Sequence, residues 1–393
     1  MIKNRLQQRG AVSLFIVVFS ALLITVVAIS FVGIMIQDQQ QASTTDLSQS
    51  AYDSAQAGVE DAKRALIRYQ NMCSSDSNCV VNSKINSSTC NTAVEELSDV
   101  KDVAASSSNG EVAVQTGGSN SLDQAYTCVK VDLNTVDYLG SLSANKLNVI
   151  PLNSVSQFDT VQIQWFSSSD LSSSTNFDVD LQDPTQGVPL LAQNSWKQNR
   201  PAIMQAQLVQ FGSNGFTLSD FDSKNGSGQS NANTLFLYPS GKTGIVSSNI
   251  DTFVLGDRDI RRTPTGAPLQ VTCSGNLATG GYACNVKLTL PEPIGGGDRT
   301  AFLQLNALYN NSSYRITLLN GAAPTPVKFN AVQPEVDSTG RANDLFRRIK
   351  ARVTLSDLNF PYPQAAVNVV GSLCKDFIVT DNVADYKAGS CTP

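Results

Sequence analysis

Histidine is missing from all 393 residues. That removes imidazole general bases, His-containing metal sites, and the Ser-His-Asp and Cys-His arrangements of nucleophilic catalysis. The eight cysteines include no Cys-x-x-Cys, so no metal site is expected and no cofactor is indicated. Charge is sparse at 16% of residues, and residues 11–36 carry none. Proline is absent from residues 11–72, so nothing there interrupts a helix. The net charge of −5 is not the basic footprint of a nucleic-acid binder, and nucleic acid is not indicated as a partner.

The uncharged stretch AVSLFIVVFSALLITVVAISFVGIMI would run about 39 Å as helix, against a hydrocarbon core of about 30 Å. Before it stands a short basic leader with Lys3, Arg5 and Arg9; after it the first charge is Asp38. The positive-inside rule predicts a single-pass protein of the cytoplasmic membrane, leader inside and the rest outside. A cleaved secretory signal would have a shorter apolar run and a small-x-small site, whereas this run is followed by QDQQQASTTD. A plain signal anchor fits this physics.

Beyond the apolar run, Leu47, Ala51, Ala55, Val59, Ala62, Leu66 and Tyr69 recur at helical spacing. Asp53, Gln56, Glu60, Lys63 and Arg64 fall opposite, with Glu60 and Arg64 at pairing distance i,i+4. A continuous helix over 11–72 would be a rod of roughly 90 Å. Small residues at 51, 55, 58 and 62 would let a sheet or a second helix approach closely.

The leader ends in Arg9-Gly10, and Ala11 opens the apolar helix. This junction, with the long half-apolar helix behind it, resembles the N-terminus of type IV pilins. The resemblance implies a cut between Gly10 and Ala11 by a prepilin peptidase. It also implies a helix half in the membrane and half packed on a globular head, with other pilin subunits and the pilus assembly machinery as partners. Major pilins carry Glu at the fifth mature position, where this chain has Phe15. That departure points to the PilX-like minor pilin and minor pseudopilin group. The resemblance covers about 60 of the 393 residues.

An even cysteine count in an exported chain reads as disulfides. Cys273 and Cys284 bracket a Gly-rich turn, which predicts a bridge across a hairpin; Cys374 and Cys391 bracket the C-terminal tail and resemble the C-terminal disulfide loop of pilins. Cys73, Cys79, Cys90 and Cys128 allow three pairings among themselves. Residues 73–125 read as cysteine-pinned loops. From Tyr126 on, short alternating runs such as TVQIQWF, MQAQLVQ and YRITLL predict antiparallel strands. The expected fold is α+β: a long N-terminal transmembrane and amphipathic helix, then a β-rich, disulfide-bonded extracytoplasmic head. The expected divisions are 1–10 (leader), 11–36 (transmembrane), 37–72 (amphipathic), 73–125 (loops), 126–200 and 201–393 (β-rich subdomains), with the boundary near Asn199-Arg200-Pro201.

Three enzyme-like signatures occur. Ser143-Ala-Asn-Lys146 imitates a Ser-Lys acyl-transfer motif, but a strand-like LNVIPLN follows where a helix is needed. Ser240-Gly-Lys-Thr lacks the upstream glycine of a phosphate loop. The run from Asp220 to Gly226 echoes a calcium loop, spoiled by Lys224. In RRIKARVTL, Arg348, Lys350 and Arg352 share one strand face, either as a solvated, aggregation-resistant edge or as a site for an anionic ligand. The sequence is therefore read as a non-enzymatic structural and interaction subunit of a type IV pilus or pseudopilus. The alternative is a signal-anchored, adhesin-like surface binder that does not assemble; a Ser-Lys enzyme is the remote third.

Overall fold

The computed structural model describes residues 9–73, 82–97, 110–114, 123–173, 175–182, 191–212, 217, 220, 223–241, 250–255, 268–295 and 299–355. Two compact units divide the chain: residues 1–132 with 335–353, and residues 133–334 with 354–393. Lys3, Arg5, Cys79, Cys374 and Cys391 lie outside the described residues. Elements are numbered along the chain.

The first unit is built on one helix, α1 (Arg9–Cys73), 65 residues long and thus about 100 Å. Its apolar part is bare: from Leu14 to Ile36 every large side chain is at least half exposed. The helix is long and apolar enough to cross a membrane. Four hydroxyls are absorbed locally, as when Thr25 Oγ1 donates to Leu22 O and Ser30 Oγ to Val26 O, Thr44 and Thr45 doing the same one turn back. Toward its C-terminal end α1 packs on a four-stranded antiparallel sheet ordered β1 (Val112–Ala113), β2 (Gln124–Asp132), β14 (Glu335–Ala342), β15 (Leu345–Arg352). Alternation in β14 turns Val336, Ser338, Gly340 and Ala342 into the buried layer. The expected loop region holds two short helices, α2 (Asn82–Ile85) and α3 (Thr92–Leu97), as well as β1.

The second unit comprises two sheets over one core. The first is ordered β13 (Thr325–Val327), β12 (Ser312–Asn320), β5 (Phe158–Ser167), β10 (Tyr282–Ile294), β8 (Asp251–Val254), with β3 (Tyr138–Leu142) also on β12. The other is ordered β4 (Leu147–Pro151), β11 (Arg299–Leu308), β6 (Ile203–Gly212), β7 (Ala232–Ser240), β9 (Leu269–Thr272). Ile163, Val286 and Ile316 of the first share a continuous apolar cluster with Leu208, Leu235 and Leu303 of the second. Pairing is antiparallel except at two edges, where β8 runs parallel to β10 and β9 parallel to β7.

The expected boundary at residues 199–201 falls inside this unit. β5, from before it, is hydrogen-bonded along its length to β10, from after it, and Arg200 is buried. The division instead follows the ends of β2 and β14: residues 133–334 leave the first unit after Asp132 and rejoin it at Glu335.

Candidate functional site

The predicted small-residue stripe of α1 is the docking surface for the sheet. Ala51, Ala55, Ala62 and Leu66 are fully buried, Val59 nearly so, and Leu47 is half-buried at the margin. The approach is close enough to bring backbone against backbone. A Cβ built on Gly340 would clash with Ala51 O and Ala55 N, and one on Gly58 would lie 2.7 Å from Val129 Cγ2 and 2.5 Å from Ser338 Oγ. Only glycine permits this approach on the β14 side, where the register of β14 against β2 also shifts, at Thr339/Gly340. Between these two glycines Ser338 Oγ donates to Ala55 O at 2.7 Å, so the buried hydroxyl is satisfied by the helix it supports.

One turn on, Tyr126 Oη donates to Asp61 Oδ2 at 3.0 Å while Arg64 Nη1 reaches Asp61 Oδ1 at 3.0 Å. Burial and the adjacent Asp61 carboxylate push the Tyr126 phenol well above its ordinary range. The pair expected between Glu60 and Arg64 does not form. Arg64 takes Asp61, which Tyr126 holds in place, and Glu60 is taken by Lys63 at 2.6 Å.

Asn91 completes the rim of the sheet. Its backbone N–H donates to Val129 O at 2.9 Å, its Oδ1 accepts from Val129 N at 2.8 Å, and its Nδ2 donates to Gly110 O at 2.7 Å. Beside it Cys90 is bonded to Cys128, which selects one of the three pairings left open. Cys73 is also disulfide-bonded, to a cysteine outside the described residues. The expected Cys273–Cys284 bridge is present, and it ties strands of opposite sheets, Cys273 following β9 and Cys284 lying in β10.

The three cations proposed as an anionic-ligand face are engaged within the sheet. Arg348 Nε donates to Asp337 Oδ1 at 2.6 Å, Lys350 Nζ to Glu335 Oε1 at 2.7 Å, and Arg352 lies 3.3 Å from Glu335 Oε2. Hydrogen bonding from Arg348 holds the Asp337 carboxyl below the usual range despite partial burial. Sequence alternation placed the cations correctly but gave no sign that β14 would set two carboxylates beside them. The geometry is that of the solvated, ion-laced face.

Ser143 and Lys146 sit exposed on the turn between β3 and β4, closed by Lys146 N donating to Ser143 O at 3.0 Å. No helix carries that serine. In the calcium-loop echo, Asp220 Oδ2 accepts from Thr217 and Asn225 Oδ1 from Ser227 N and Gln229 N, so these oxygens serve their own turns. Among the described residues no cluster of three His, Cys, Asp or Glu side chains is placed to hold a metal. Of the docking contacts, Ser338, Gly340 and Asn91 escape sequence reading. The one available sign is a glycine inside the strand-like EVDSTGRA, which marks close backbone approach.

Phe15 is largely exposed on α1, and α1 begins at Arg9, so Gly10 and Ala11 lie in its first turn. No protein-family model, curated protein or solved structure matches this chain.

Proposed function

We propose that the chain is a minor-pilin-like subunit, processed between Gly10 and Ala11, held in the cytoplasmic membrane by residues 11–36, and assembled into a type IV pilus or pseudopilus. The observation that carries this reading is the division of labour along one unbroken helix. From residue 11 to residue 36 it carries no charge and its large apolar side chains are exposed, and beyond Leu47 one face is buried through small residues against an antiparallel sheet. A membrane anchor needs only the first half. A subunit that moves from membrane to filament needs both, because the same rod must be stored in lipid and remain rigidly joined to the folded part. Residues 133–334 then form a sandwich carried on that subunit, and a role in adhesion or surface binding belongs to it.

In the signal-anchor reading the protein stays at the membrane and acts as a surface binder. The two are separated by shearing cells and probing the filament fraction. The wild-type protein is expected with the filaments. Ala55→Leu, which overpacks a fully buried position at a cost of about 1–3 kcal/mol, is expected to insert normally yet be depleted from that fraction. Absence of the wild-type protein from filaments would favour the anchored binder.

A further inference from the structure

Between the apolar run of α1 and its docked stripe lie residues 37–46, QDQQQASTTD, and all ten are exposed. As helix they span about 15 Å. A helix that is polar all round holds its shape only through packing or side-chain pairs. Among the described residues this stretch has neither. Asp38 and Asp46 have no cation within reach along the helix, since none occurs between Arg9 and Lys63. The side-chain hydrogen bonds that form are those of Thr44 and Thr45 to the carbonyls of Gln40 and Gln41, a back-bonding pattern that slightly destabilises and bends helices. Ser43, Thr44, Thr45 and Asp46 are four poor helix formers in a row.

We infer that residues 37–46 are a joint: this stretch of α1 unwinds locally while the helix on both sides of it stays formed. The inference rests on the membrane placement of residues 11–36 proposed above. In hydrocarbon a freed backbone N–H or C=O finds no partner, so residues 14–36 stay helical. On the other side, Ala51, Ala55, Ala62 and Leu66 are fully buried on the sheet, and Ser338 Oγ bonds Ala55 O. Opening there would give up that packing. At 37–46 the freed backbone groups bond to water, and the exposed side chains have no packing to lose. Unwound and extended, ten residues span roughly 33 Å in place of about 15 Å. Closed, α1 is the single rod described above. Open, it is two helices on a tether, and the folded part swings and stands off from its anchor.

Hydrogen–deuterium exchange of the full-length protein in lipid nanodiscs tests this. Amides of residues 37–46 are expected to exchange at least about tenfold faster than those of 14–36 and of 51–66. Thr44→Ala, Thr45→Ala and Asp46→Ala combined raise helix propensity at three exposed positions. The triple variant is expected to slow exchange of 37–46 roughly tenfold and to leave that of 51–66 unchanged. Slow exchange throughout 14–66 in the wild type overturns the joint and leaves the membrane placement standing. A triple variant that exchanges like the wild type overturns the joint as well. Fast exchange across 14–36 contradicts the membrane placement itself, and the joint falls with it.

Discussion

Asp132 and Glu335 are direct partners across the antiparallel β2–β14 ladder, yet residues 133–334 all lie between them in the chain. Residues 133–334 thus occupy the place of a hairpin loop. Directly opposed strand ends are what a two-residue turn joins. Joining Asp132 to Glu335 through Asn-Gly and ending the chain after Val353 is expected to leave the first unit folded. Retained helical circular dichroism and an intact Cys90–Cys128 bond in a non-reducing peptide map would show it. Loss of that bond would mean the first unit depends on the inserted one.

Backbone contact between α1 and β14 makes a sharp contrast among glycines. Gly340→Ala places a methyl group on the Ala51–Ala55 backbone and is expected to destabilise the first unit by about 3 kcal/mol, the upper part of the overpacking range. Gly58→Ala meets side-chain atoms of Ser338 and Val129 rather than backbone, and about 1–2 kcal/mol is expected. Gly33→Ala, with open space around it, is expected to change little. Denaturant unfolding of the full-length protein in detergent ranks the three, and equal effects would contradict the close approach.

The docking stripe is legible in the sequence because it depends only on helical period and residue size. Ala51, Ala55, Val59 and Ala62 announce a flat, narrow face whatever it meets. The strands are legible for the same reason, since alternation is local: TVQIQWF, MQAQLVQ and YRITLL all fall inside strands. Pairing is not local. Nothing within YTCVKVD says that its partner is EVDSTGRA some two hundred residues later, so the insertion and the true division of the chain stay hidden. The carboxylates that neutralise Arg348 and Lys350 are hidden for that same reason.

Stability should form a plateau with pH. Burial raises the Asp180 carboxyl but its bonds to Lys197 and Arg200 outweigh this, and Arg348 lowers Asp337, so both sit below the unfolded value. Their contribution is present above about pH 4 and lost as pH falls through the folded values. Burial raises Tyr126 and Tyr314 above the unfolded value. Their contribution is complete below about pH 10 and lost on further rise. Thermal midpoints measured across this range are expected to fall at both ends, with Asp337→Asn flattening the acid limb and Tyr126→Phe the alkaline one. Unchanged limbs in these variants would assign the falls to other groups.

The central claim is that α1 is a processed pilin-type helix rather than a simple anchor, and the mass of the mature N-terminal peptide tests it most directly. The account predicts a chain beginning at Ala11, N-methylated, with Gly10→Ala blocking the cut because a peptidase pocket shaped to glycine leaves no room for a Cβ. Recovery of an intact N-terminus at Met1 from membrane or filament material would contradict it.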